Sequence, residues 1–378
     1  MRREGEERPR RRWRRRVVAT ATLLAVLVAG GTIWGITQGY HHHVYDAFFL
    51  AVVADRVAGE STSPAAAVWR LHEFVNLNVR TPATAPVFDT PPGQVLIRGF
   101  GYCDQAVWLF IGLLAERNIS GRMTWLRRAD GSSPHTVSEV LLDGQWRVFD
   151  TLYGWVPRRP DGGLVSVRDL VTEPALLGLS RAQPEWYRHT QVTLVRGPER
   201  LRRGTSFWVR ARVRAIQTLV AVTPRRIVDH LQDLYLRLPL AWDPDARFAI
   251  DSPERRLFVR ARHYHAFLRT AEAEAAYTEW LGRYANDPAA DDVLYALGVL
   301  RLTQGRDPAA AGTIFDMLLA RYPASNWRNE AIYLDGLSHE LAGDCQTAVR
   351  RYGQVVAGFA NGLEDARLRL GRLKCPLA

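Results

Sequence analysis

Three side chains in the middle of this 378-residue chain are of the types that nucleophilic catalysis uses: Cys103, His135 and Asp150. A thiolate attacks a carbonyl, an imidazole moves the proton, and a carboxylate fixes the tautomer and orientation of the imidazole. Such chemistry requires the three to meet, so the elements that carry them decide the matter. After Cys103, the residues Ala106, Leu109, Phe110, Leu113 and Leu114 recur at three- and four-residue steps. That spacing predicts a helix that starts at or just after the cysteine and ends near Arg117. Asn118 tolerates the left-handed conformation in which helices end. A helix N-terminus, with its free N–H groups and dipole, favours a thiolate. Gly101 lets the chain approach closely at the preceding turn.

Downstream, His135–Leu142 and Gln145–Tyr153 read as strands joined by Asp143-Gly144, a two-residue hairpin turn. In that register Leu142 faces Gln145 and Val137 faces Asp150. His135 and Asp150 then lie on one face, diagonally related and within reach of each other. Taken singly, each of the three has a structural alternative: a core cysteine, a satisfied buried histidine, an aspartate that closes a turn. Asp104 and Gln105 beside the nucleophile read as solvated helix residues. Arg122 reads as the structural partner of a buried carboxylate. His41–His43 read as residues that hydrogen-bond water and headgroups, with no further ligands at recognisable spacing. Neither a metal nor a cofactor is therefore expected.

The composition narrows the class. Lys and Arg total 50 against 39 Asp and Glu, a formal charge of +11. Nine arginines and three glutamates fall within residues 1–16, so the excess is local. No nucleic-acid partner is expected from it. A hydrophobic fraction of 47% excludes a disordered chain, and three cysteines exclude a disulfide framework or a four-thiolate zinc site. Val17–Thr37 carries no charge. As a helix it would span about 31 Å, enough to cross a bilayer. The reading is a basic cytoplasmic tail (1–16) and a single-pass membrane anchor (17–37), with the bulk of the chain periplasmic or extracellular. A cleaved signal peptide is the alternative.

Beyond Asp150, residues 154–163 read as a loop, 166–190 as short helical turns and Ile216–Leu238 as helix. Phe207–Arg214 alternates apolar residues with arginine, which suits an edge strand or linker, or an interfacial segment near anionic lipid. From about Ala271 the sequence repeats. Tyr295, Gly298 and Gly305 recur as Tyr333, Gly336 and Gly343, and Ala311, Phe315 and Tyr322 as Ala348, Tyr352 and Phe359. Small residues at fixed places let the helices of a hairpin approach, and aromatics fill the gaps between hairpins. Asn361–Leu373 reads as a capping helix. If residues 346–358 and 362–374 form antiparallel helices of similar length, Cys375 returns beside Cys345. In an oxidising compartment the two would then form a disulfide.

The stretch from about Ala65 to Asp150 resembles the transglutaminase-like domain of the papain-like cysteine enzymes. Gly101-Tyr102-Cys103 matches that family's Gly-x-Cys. Asn118-Ile119-Ser120-Gly121-Arg122 stands where its Gly-Ile-Pro-Ala-Arg turn falls, though the Pro and first Gly are absent. Glu139-Val140, Asp143-Gly144 and Trp146 lie between His135 and Asp150 as in the family, while Val137 replaces a frequent Trp. Val68–Val75 looks like the helix upstream of the nucleophile. The later repeats resemble tetratricopeptide repeats. The resemblance implies an α+β papain-like core (60–190), with the cysteine helix packed on an antiparallel sheet. It is followed by a connector (191–270) and an all-α repeat domain (271–378). It also implies Cys103, His135 and Asp150 as catalytic residues acting on protein or peptide amides by hydrolysis or acyl transfer. A protein partner is expected on the concave face of the repeats. The alternative is a non-catalytic scaffold that binds envelope proteins.

Overall fold

The computed structural model describes residues 40–84, 91–177, 184–196, 207–237, 252–358 and 364–373, together with Cys375. The chain divides into two compact units, 1–46 and 47–378. The anchor read at Val17–Thr37 lies outside the described residues. Among the described residues, no helix is long and apolar enough to cross a membrane.

Helices come first among the described residues. α1 spans Tyr40–Ala58, α2 Pro64–Asn78, α3 Pro92–Arg98 and α4 Cys103–Glu116. The start of α2 is set by Ser63, whose hydroxyl accepts a hydrogen bond from the Ala66 N–H, and by Pro64 at its first position. α4 begins at the cysteine as its periodicity predicts. Asn118, two residues past its end, is left-handed at φ 58°.

A four-stranded antiparallel sheet follows, made of β1 (Gly121–Leu126), β2 (His135–Leu142), β3 (Gln145–Phe149) and β4 (Gln191–Arg196), in the order β3-β2-β1-β4. Asp143 and Gly144 both have positive φ, as a tight two-residue turn requires. The turn sets Leu142 opposite Gln145 and Ser138 opposite Phe149. Against the sheet, Val107 and Ile111 of α4 pack on Met123. Leu126, Val137 and Val148 form another core with Trp155, Val165 and Leu170. That second core is roofed by short elements, α5 (Val167–Thr172), a 3-10 turn (Pro174–Leu177) and α6 (Pro184–Arg188).

Phe207–Arg214 does not form a strand. It opens α7 (Phe207–Val222), and α8 (Arg225–Arg237) follows after Pro224. The position beside β1 that an edge strand would fill is held by β4. The sixteen residues of α7 contain neither Gly nor Pro, so nothing in them interrupts a helix.

The remaining helices pack in succession: α9 (Pro253–Ala266), α10 (Thr270–Arg283), α11 (Ala290–Thr303), α12 (Pro308–Arg321), α13 (Arg328–Leu341), α14 (Cys345–Gly358) and α15 (Glu364–Arg372). The repeated small and aromatic residues meet as their spacing implies. A Cβ at Gly298 would lie 2.6 Å from the Phe315 ring, and one at Gly336 would lie 2.9 Å from the Tyr352 ring. The array starts earlier than Ala271. α9 packs on α10 through Leu257 and Ala261, and Arg262, His263 and His265 are buried on it as well. Cys345 and Cys375 form a disulfide across a Cα separation of 5.6 Å.

Candidate active site

Each of the three sequence-derived residues sits at the end of an element. Cys103 is the first residue of α4, His135 is the first of β2, and Asp150 directly follows β3. The hairpin register carries His135 and Asp150 to the same face, and His135 Nε2 lies 2.7 Å from Asp150 Oδ2. The Cys103 side chain acts on the same imidazole and helps it to hold its proton. With Nε2 committed to Asp150, Nδ1 is the nitrogen left for sulfur. The structure thus brings together sulfur, imidazole and carboxylate, in that order. Cys103 is the one free cysteine, and it is half-buried.

Burial by itself disfavours a charged His135. The Asp150 carboxylate, its hydrogen bond, and the hydrogen bond and charge of Cys103 outweigh that penalty and push the imidazole up to about 10. The ring is therefore an imidazolium at neutral pH. Tyr153 stacks on it, with ring centroids 4.8 Å apart.

Asp150 is 1% exposed and fully engaged. Its Oδ1 accepts the Tyr153 N–H at 3.1 Å, and its backbone pairs with Trp155 in both directions. Two residues absent from the sequence reading complete the support. His72 Nε2 donates to the Asp150 carbonyl at 3.0 Å. Asn76 Nδ2 donates to the Thr151 and Leu152 carbonyls at 3.2 and 2.8 Å. His72 is packed edge-on against Phe110 and Phe149, and burial lowers it to about 4, so it is neutral. The two are four apart on α2, one turn of one face. That spacing of polar residues inside an apolar helix is the signal that could have marked them.

The approach to Cys103 is clamped from two sides. Gln105 is buried, not solvated as its position suggested. Its Oε1 accepts the Tyr102 N–H at 3.2 Å and Arg98 Nη2 at 3.0 Å, which fixes the first turn of α4. Arg122 pairs with buried Glu139 at 2.8 Å, as expected of it. The second clamp is the helical array. Arg262 of α9 donates to the Ile97 carbonyl at 2.7 Å. It covers Gly99 (φ 77°), where any Cβ would strike its guanidinium. Buried Arg80 bridges Glu330 at 2.7 Å and Asp365 at 2.6 Å, while its backbone pairs with Gly99 and Gly101. Burial pushes the Glu330 carboxyl up to about 7 against the pull of Arg80. Phe100 meets Trp327 edge-on, and the Ala83 N–H donates to the Asn326 carbonyl. These partners come from α9, α13, α15 and the turn before α13. The chain's own Arg80, Ala83, Ile97, Gly99 and Phe100 therefore lie against the array.

A cavity of about 350 Å³ lies where the two parts meet, bounded by Asn76, Tyr153 and Gly154 on one side and by Tyr333, Glu340 and Arg369 on the other. Among the described residues, no group of three or more His, Cys, Asp or Glu side chains is arranged to hold a metal ion. No family model, curated protein or solved structure matches the chain.

Proposed function

We propose that the protein is a membrane-anchored cysteine enzyme of transglutaminase-like type that acts on protein or peptide amides outside the cytoplasm. In this reading 17–37 is the anchor, the α4–sheet unit is a papain-like core, and the array is a tetratricopeptide-like domain. The observation that carries the proposal is the His135 imidazole, bonded to Asp150 at 2.7 Å and further held in its charged form by the Cys103 side chain. An imidazolium beside a sulfur at a helix start suits nucleophilic attack better than it suits structural packing.

Cys103 Sγ attacks the amide carbonyl. The backbone N–H at the start of α4 supports the developing oxyanion, since the first N–H groups of a helix have no intrahelical partner. His135 gives its proton to the departing amine, leaving a thioester on Cys103, and Asp150 holds the ring in place. Water or a second amine then releases the acyl group. The cavity beside Tyr153 is the approach for the acyl donor.

The test is alkylation and trapping on the full chain. At neutral pH, iodoacetamide should modify Cys103 rapidly, and His135→Ala should slow that at least tenfold. A digest of envelope proteins should leave acyl adducts on Cys103 that Cys103→Ser lacks. Equal alkylation rates and no adducts would instead support the scaffold reading.

A further inference from the structure

The described residues expose few large apolar side chains, and most of these gather on α7 and α8: Leu219, Val222, Ile227, Leu231 and Leu234, from 45% to 71% exposed. Their spacing is helical. Ile227, Leu231 and Leu234 form one stripe of α8, and Leu219 and Val222 lie three apart at the end of α7. Arg226, His230 and Arg237 form an exposed stripe alongside, with Arg225 exposed at the start of α8.

The acids of this hairpin point the other way. Asp229 pairs with Arg56 at 2.6 Å, and Asp233 pairs with Arg269 at 2.7 Å, both toward the body of the protein. Gln232, which is buried, donates to the His263 carbonyl at 3.3 Å. α7 contains no acidic residue, although its sequence includes Arg210, Arg212 and Arg214. Every exposed charge on α8 is thus basic or a histidine, and each flanks an unpaired apolar stripe. A protein partner would need opposite charges and pockets placed to match. A bilayer needs only anionic phosphates beside acyl chains, and this surface presents nothing else.

We propose that α8, with the last turn of α7, rests on an anionic lipid surface. Leu231 and its stripe enter the boundary between headgroups and acyl chains, while the arginines contact lipid phosphates. This inference does not depend on the cysteine chemistry. It brings the body of the protein against the membrane instead of leaving it on a stalk.

The test places an environment-sensitive fluorophore (NBD) on Leu231→Cys in the full chain with Cys103→Ser. A second label at Met317→Cys, which is exposed on α12, serves as the reference. Both proteins are bound to phosphatidylcholine vesicles, with or without roughly three phosphatidylglycerol molecules in ten. On anionic vesicles the label at 231 should shift to shorter wavelength and be quenched by doxyl-labelled acyl chains. The label at 317 should stay aqueous. Arg225→Glu with Arg226→Glu and Arg237→Glu should abolish the shift. An aqueous signal at 231 on both vesicles would overturn the proposal. So would a shifted but unquenched signal, which would mean that a second copy or another protein covers the stripe. Equal quenching on neutral vesicles would overturn it as well.

Discussion

Two buried polar clusters lie on either side of the nucleophile segment, and they handle charge differently. Around Asp150 the partners are histidines, one pushed up to about 10 and the other lowered to about 4. The direction follows the atom each one touches. His135 faces the carboxylate, whereas His72 faces only the carbonyl of the same residue. In the second cluster Arg80 and Arg262 carry their charge at any ordinary pH. They hold backbone and carboxylates in place. A region that moves protons needs groups whose charge can change. A region that fixes a loop needs groups whose charge cannot.

Asp150→Asn breaks the first cluster with the largest expected effect. Amide turnover should fall by about ten-thousand-fold, as when a triad loses its orienting carboxylate. The pH profile gives a sharper readout. In the proposed reaction His135 is protonated when it releases the amine, so the alkaline limb of the wild type should fall near pH 10. Without the carboxylate, that limb should move down toward the ordinary histidine value.

Arg80→Met breaks the second. Two carboxylates lose their shared cation in a buried place, and urea unfolding should show a loss of about 3–5 kcal/mol. Glu330→Gln at pH 6 should cost about 1 kcal/mol or less, because burial already favours the protonated carboxyl there. Equal losses from both variants would show that Glu330 carries a full charge.

The effect of His72→Phe appears only in acid. The unfolded chain protonates His72 near 6.5, the folded chain near 4. The stability from a neutral His72 is present above 6.5 and lost as pH falls through 4. Between pH 7 and pH 4 the wild type should lose about 3 kcal/mol more than His72→Phe. Parallel stability curves would mean that the ring is charged in the fold.

Local chemistry made part of this legible in the sequence. The stripe after Cys103 announces α4, and Asp143-Gly144 sets a register in which His135 and Asp150 must share a face. The glycine and aromatic repeats announce the later hairpins in the same way. What stayed hidden depends on distance along the chain or on polar burial. Arg80 meets its carboxylates 250 or more residues later, and no periodicity encodes that meeting. α9 hid because Arg262, His263 and His265 are buried on it beside Leu257 and Ala261, and so many polar residues mask the stripe. Phe207–Arg214 alternates like a strand, yet it is the start of a helix.

The pleat of the hairpin makes the pairing of His135 with Asp150 a matter of odd and even. Removing one residue between Gln145 and Phe149 would keep both strands, their composition and most of their hydrogen bonds, yet turn Asp150 toward the opposite side of the sheet. Length variation among descendants of this chain should therefore collect in the turn at 143–144 or beyond Tyr153, and spare the five residues of β3.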